Sequence, residues 1–389
     1  MRLKNRRPQL HPSCASALGD GRALILVCSL LAFSCGAKTG LEIDDFDAPP
    51  VFDAGVDAPT DSGPCSIERI PIQPARGDVV WVLDRSGSMR LGFDGSENLP
   101  RPFWRWTILR QAMASLLPLL GERMRSGAKI YPNPPPPDAV EITAEVACQT
   151  SPQLDVPIAL NSASTILRAI DAHDPFGGTP TVEAILVARE ALRNSREGRR
   201  FIVVATDGGP NCNPRLRVDP RRCVCTNVPE ACQHPTEGIY SCLDDPRTLE
   251  VLRETHETWG IPVFIIGIPD ESRPDLIDFL DRMAVAGGRP RNVPGQRRFF
   301  SASNEEELRE VLREVIEAIG RCAFTLERAV EEDVVVEIRL NDQVLVEDPV
   351  NGWMWSESSR QEIELTGPAC ERANRQGSRL EAWIQRCRD

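Results

Sequence analysis

Asp84-Arg85-Ser86-Gly87-Ser88-Met89 sets one carboxylate and two hydroxyls at alternate positions, a spacing that lets all three oxygens face one side of a loop. Two later segments offer matching oxygens, Gly177-Gly178-Thr179-Pro180 and Ala205-Thr206-Asp207-Gly208-Gly209. Taken together, Asp84, Ser86, Ser88, Thr179 and Asp207 form an oxygen-only set with two negative charges. Such donors suit a hard cation, Mg²⁺, Mn²⁺ or Ca²⁺, whereas Zn²⁺ selects nitrogen and sulfur. Hydroxyls in place of further carboxylates keep the cage weakly anionic, which leaves a bound ion electrophilic toward an external acid. Asp and Ser are also common turn formers, so the first segment alone is a weak signal. Three segments in order, each at a strand end or a helix start, are a stronger one.

Those segments need a scaffold. Asp78-Val-Val-Trp-Val-Leu83 is a short apolar run that reads as a buried strand. Residues 103–123 have helical spacing, with Pro118 as a kink or stop. The pattern predicts strands over 128–131 and 139–148, flanking the proline run 134–137, and helices over 164–172 and 181–194. Strands over 200–205 and 261–268 and helices over 274–286 and 304–319 follow. Alternating apolar strands and amphipathic helices predict a doubly wound, mostly parallel α/β sheet covered on both faces. Ligand sites in such folds lie at the carboxyl ends of the strands, where the loop after Leu83 emerges. After Cys322 the rhythm changes: 333–340 and 343–347 alternate around a turn at Asn341-Asp342, and 361–365 is a further strand. A small β-rich module over 323–389 is expected.

The order of the three segments resembles the von Willebrand factor type A domain and its metal-ion-dependent adhesion site. The family pattern is D-x-S-x-S, then a threonine, then an aspartate, met here by Asp84, Ser86, Ser88, Thr179 and Asp207 over about residues 75–320. The resemblance implies that Ser86, Ser88 and Thr179 hold the ion directly or through water, with the aspartates assisting. It further implies one open coordination position for a carboxylate on a partner protein.

The chain has 389 residues, 45 Lys+Arg against 57 Asp+Glu, 33 prolines and 13 cysteines. Its acidic balance and lack of a concentrated basic face argue against nucleic-acid binding. Basic residues precede the apolar run Ala23–Phe33, which is too short to span a bilayer. Leu31-Ala32-Phe33-Ser34-Cys35-Gly36 resembles a bacterial lipoprotein signal cleaved before Cys35, although Phe33 is bulky and the leucine stands one place early. Lipidation of Cys35 would anchor the chain in the cell envelope, the outer membrane being favoured because Gly36 does not resemble an inner-membrane retention signal. Ordinary signal cleavage and an uncleaved anchor are the alternatives. Residues 1–34 are therefore read as signal peptide and 35–64, rich in Asp, Pro, Gly and Ala, as a solvated linker. Residues 65–322 form the α/β domain, with a Cys-rich insertion over 210–245.

Ten cysteines follow Cys35: Cys65, Cys148, Cys212, Cys223, Cys225, Cys232, Cys242, Cys322, Cys370 and Cys387. An even number in an exported chain implies disulfides. A zinc knot and reactive thiols are the alternatives for the insertion, but Cys223-x-Cys225 is too close for the usual zinc spacing. Five cysteines in the insertion leave one to pair outside it, and Cys148 is the expected partner. Cys65–Cys322 and Cys370–Cys387 are the other expected pairs. The insertion follows the third oxygen-bearing segment, so it is expected to overhang the site.

These readings converge on an envelope-anchored, divalent-cation-dependent adhesion domain that binds a protein ligand bearing an exposed Asp or Glu. A metal-free scaffold of an envelope assembly is the second reading. An envelope hydrolase is the third, and no general base can be named for it; no triad or phosphate-binding loop is present. Phe103-Trp104-Arg105-Trp106 is expected to pack against the sheet rather than form a ligand patch.

Overall fold

Val79–Leu83 carries no charged side chain, and burial on both faces is the arrangement that hides all of it from water. The computed structural model describes residues 65–386 except 122, 140, 196–198, 321, 357–359, 374 and 376. The expected signal peptide, Cys35 and the linker lie outside the described residues, as does Cys387.

The chain enters through two short strands, β1 (Ser66–Ile70) and β2 (Ile72–Pro74), and continues into β3 (Gly77–Asp84). Helix α1 (Arg105–Leu116) leads to β4 (Met124–Tyr131), the short α2 (Ala144–Ala147) and β5 (Val156–Ala159). Then come α3 (Ala163–Asp171), α4 (Thr181–Arg193) and β6 (Arg199–Thr206). A long loop containing α5 (Pro229–Cys232) reaches α6 (Asp245–Arg253), β7 (Val263–Gly267), α7 (Pro274–Ala286), β8 (Phe300–Ser301) and α8 (Glu305–Gly320). Strands β9 (Ala323–Leu326), β10 (Val335–Leu340), β11 (Gln343–Leu345), β12 (Trp353–Trp355) and β13 (Glu362–Leu365) follow, before α9 (Gly367–Ala373) and β14 (Leu380–Arg386).

The central sheet has the order β5-β4-β3-β6-β7-β8, parallel throughout except for β5 at one edge. Successive side chains of β3 go to opposite faces. Val79, Trp81 and Leu83 join α1, α3 and α8 in one core, while Val80 and Val82 join α4, α6 and α7 in the other. Each such Val or Leu, fully buried, contributes about 1.5–3 kcal/mol. β3 is therefore a well-anchored platform for the loop that follows it. Pro118 acts as predicted: α1 ends at Leu116 and the proline sits in a tighter turn over Leu117–Leu120.

Among the described residues of 139–148 there is no strand. Thr143 caps α2 there, its hydroxyl accepting from Val146 N at 3.3 Å, and the edge strand is instead β5. Local capping by Thr143 offered the backbone a competitor to sheet pairing.

The remaining strands form two antiparallel four-stranded sheets, β1-β14-β10-β11 and β12-β13-β9-β2, around a separate core that includes Ile70, Leu326, Ile338, Trp353 and Ile384. The expected boundary at residue 65 thus needs correction, because Ser66–Pro74 pairs with strands that follow residue 322. The Asn341-Asp342 turn occurs as read, both residues having positive φ between β10 and β11.

Between described residues the disulfides are Cys148–Cys212, Cys223–Cys242, Cys225–Cys232 and Cys322–Cys370. Cys148 pairs into the insertion as expected. Cys65–Cys322 and Cys370–Cys387 are corrected by Cys322–Cys370. Cys322 heads β9, whose neighbour β13 leads straight into α9 and Cys370, and Leu365 N donates to Cys322 O at 2.7 Å. Cys65 precedes β1 in the other sheet and is itself disulfide-bonded. Among the described residues no helix is long and apolar enough to cross a membrane.

Candidate metal centre

Three strand or helix ends deliver the oxygen-bearing residues. β3 stops at Asp84, β6 stops at Thr206, and α4 begins at Thr181, two residues after Thr179. Asp84 is fully buried and Ser86 nearly so, while Ser88 is exposed. The loop therefore runs from the core to the surface in five residues. Arg85 turns away from this line, its Nε donating to Pro132 O at 2.7 Å and its Nη1 to Asp174 O. Burial lowers its pKa to about 10.

A chain of hydrogen bonds joins the first and third segments. Ser86 Oγ lies 3.1 Å from Ser88 Oγ, and Ser88 Oγ donates to Asp207 Oδ1 at 2.8 Å. Asp84 Oδ1 accepts from Ser86 N at 2.7 Å, and Asp84 Oδ2 accepts from Thr206 Oγ1 at 2.6 Å. The second segment is docked through its backbone. Gly87 N donates to Gly177 O at 3.0 Å, Thr179 N donates to Asn211 Oδ1 at 2.7 Å, and Asn211 N returns a bond to Thr179 O at 3.0 Å. Thr179 is buried.

Burial, and secondly the Asp207 charge, push the Asp84 carboxyl from its ordinary 3.8 up to about 7. Two carboxylates crowded in a dry place are a donor set that a cation relieves. With the hydroxyls of Ser86, Ser88 and Thr179 completing the five-residue set, the residues present fit Mg²⁺, Mn²⁺ or Ca²⁺.

Several contributors escaped the sequence reading. Arg105 Nη1 donates to Asp207 Oδ2 at 2.7 Å, and its Nε donates to Gly92 O at 2.9 Å. An arginine between two tryptophans at the start of an apolar helix was the available signal. Within that aromatic stretch Trp106 is buried as expected, but Phe103 is exposed. Thr206 and Asn211 were likewise missed; each stands within four residues of Asp207.

The Cys-rich insertion packs at the same end of the sheet. Arg273 Nη2, just before α7, donates to Cys225 O at 2.7 Å, and Ala144 N donates to Glu237 Oε1 at 3.2 Å. Cys223, Cys232 and Cys242 lie close enough together to suggest a metal cluster. All three sulfurs are engaged in disulfides, so the zinc reading gives way to staples.

No family model and no curated protein matches the chain. Among solved structures it is similar to the PilB minor pilin from Streptococcus sanguinis, at 20% identity and TM-score 0.41, covering 64% of this chain and 62% of that one. The vWF domain of the type V pili tip protein Mfa5 from Porphyromonas gingivalis is similar at 14% identity and TM-score 0.40, over 64% and 96%. An aerotolerance-related membrane protein from Bacteroides fragilis is similar at 14% identity and TM-score 0.35, over 62% and 98%. The chain thus spans about three fifths of the length of the pilin it matches.

Proposed function

We propose that this chain is an exported protein-binding module of the von Willebrand factor A type, using a divalent cation to capture a partner's carboxylate. Asp84, Ser86, Ser88, Thr179 and Asp207 would hold Mg²⁺, Mn²⁺ or Ca²⁺, and the ion would accept an Asp or Glu side chain at its open position. The observation that carries this reading is the Ser86–Ser88–Asp207 hydrogen-bond chain, which brings oxygens 119 residues apart in sequence to 2.8 Å beside a buried Asp84. Solvent reaches the cluster at Ser88, so a partner has access where the hydroxyls are. The protein's own residues would orient the ion and exclude water from beneath it. Lipidation at Cys35 and a place at the outer membrane belong to the same proposal, resting on the signal-like N-terminus.

Titration of the full-length protein with Mn²⁺ and Mg²⁺, repeated with Asp84→Ala and Thr179→Ala, tests it. Saturable one-site binding abolished by either substitution supports the reading; no binding to the wild type sinks it. A metal-free envelope scaffold is the second reading. The buried Arg105–Asp207 pair favours it, because an internal cation already neutralises one of the two carboxylates.

A further inference from the structure

Thr179 follows two glycines, and a Gly-Gly pair leaves the backbone before it conformationally loose. Its place beside the first loop must therefore be imposed from outside. Gly178 N donates to Ala147 O at 3.0 Å, at the end of α2. Asn211 grips both backbone groups of Thr179 and is itself fixed by donating from Nδ2 to Thr226 Oγ1 at 2.8 Å. These two gripping points are next to the two ends of one disulfide: Cys148 follows Ala147, and Cys212 follows Asn211. The sulfurs lie directly on the glycine. A Cβ at Gly178 would stand 2.5 Å from Cys212 Sγ, 3.0 Å from Asn211 Oδ1 and 3.1 Å from Cys148 Sγ.

We propose that the Cys148–Cys212 disulfide and Asn211 form a clamp that positions Thr179, so that divalent affinity at the five-residue site depends on a covalent bond outside it. This rests on the metal reading above. Neither cysteine is placed to touch the ion; they act through the backbone of residues 178 and 179. The other two disulfides of the insertion staple the loop to itself, Cys223 to Cys242 and Cys225 to Cys232, and stand one step further from Thr179, beside Ser241 and Thr226 rather than beside Asn211 or Ala147. Positioning groups of this kind set metal affinity without ligating.

The test is Mn²⁺ calorimetry on the full-length protein together with amide hydrogen exchange over 176–181. Cys148→Ser/Cys212→Ser is expected to weaken Mn²⁺ binding by about 10–100-fold and to speed exchange at 178–181. Cys223→Ser/Cys242→Ser, in the same insertion, is expected to leave both readouts near wild type. Asn211→Ala should reproduce the clamp defect, whereas Asn211→Asp, which keeps an acceptor for Thr179 N, should retain binding. Unchanged affinity and exchange in the folded Cys148→Ser/Cys212→Ser protein would overturn the proposal. So would equal losses in both disulfide variants, since the clamp would then be only a general stabiliser. If the double variant does not fold, the Asn211 pair decides. If wild type binds no Mn²⁺, the metal reading fails by itself, and hydrogen exchange still reports whether the clamp orders Thr179.

Discussion

Arg105 and Asp207 form an ion pair of 2.7 Å whose side chains are 2% and 0% exposed, directly beneath Ser88. Among the described residues Arg105 Nη2 has no hydrogen-bond partner, and the guanidinium is held by Asp207 and Gly92 at its other two nitrogens. Removing one member of a buried pair strands the other charge in a dry place. Arg105→Met is therefore expected to destabilise the chelator-treated protein by about 3–5 kcal/mol. Because Asp207 would then be free to serve a cation, Mn²⁺ should raise the melting temperature of the variant more than that of wild type. Urea and thermal unfolding with and without Mn²⁺ read both effects. An equal rise in the two proteins would separate Asp207 from the ion, and no rise in either would favour the metal-free scaffold.

Asp84 gives a pH dependence whose sign can be worked out. Its folded pKa lies near 7, above the ordinary 3.8, through burial and then through Asp207. Between those values the folded protein holds a proton that the unfolded chain has released, so its stability falls as pH rises through that window. The metal-free protein should lose stability from about pH 4 to pH 7 on this account. Asp84→Asn should flatten that part of the profile, and saturating Mg²⁺ should oppose the loss in wild type at the upper end. Denaturation midpoints measured across the window check it; identical slopes for wild type and Asp84→Asn would mean that other groups control the profile.

The central sheet was legible because β3, β6 and β7 are buried on both faces and so read as unbroken apolar runs. The first and third oxygen-bearing segments were legible for a related reason, as they stand where those runs stop. The 139–148 segment misled because Val, Ile and Thr favour strands locally, while the Thr143 cap that overrides them is one hydroxyl among many. Arg105 was hidden by its type: a charged residue on an amphipathic helix is expected to face water, and only the fold brings Asp207 to it across 102 residues. Disulfide partners depend on which strands become neighbours, which explains why Cys322 found Cys370 rather than the cysteine that mirrors it at the domain's start.

Gly177 offers a sharper probe of the second segment. It has φ of 79°, and a Cβ there would lie 2.3 Å from the Ala147 carbonyl oxygen and 3.0 Å from Pro132. Backbone that cannot move aside makes this contact costly, and the left-handed conformation adds its own penalty. Gly177→Ala is expected to destabilise by about 1–3 kcal/mol and to disturb the Gly87–Gly177 bond that seats this segment on the first loop. A urea midpoint unchanged from wild type would show that the loop adopts another path without penalty.

The Cys322–Cys370 bond makes a prediction about the strand-rich module. It joins Cys322, immediately before β9, to α9 across 48 positions. Cross-links of that span restrict the unfolded chain, and losing one costs about 2–5 kcal/mol. Non-reducing peptide mapping should yield a Cys322–Cys370 peptide and no Cys65–Cys322 peptide. Cys322→Ser/Cys370→Ser should lower the unfolding midpoint while leaving Mn²⁺ affinity within about twofold, since both residues pack against the core of the strand-rich module and losses of the size expected for positioning groups do not apply. A large fall in Mn²⁺ affinity would instead mean that the module's integrity is transmitted to the metal centre, most directly along β2 and into β3.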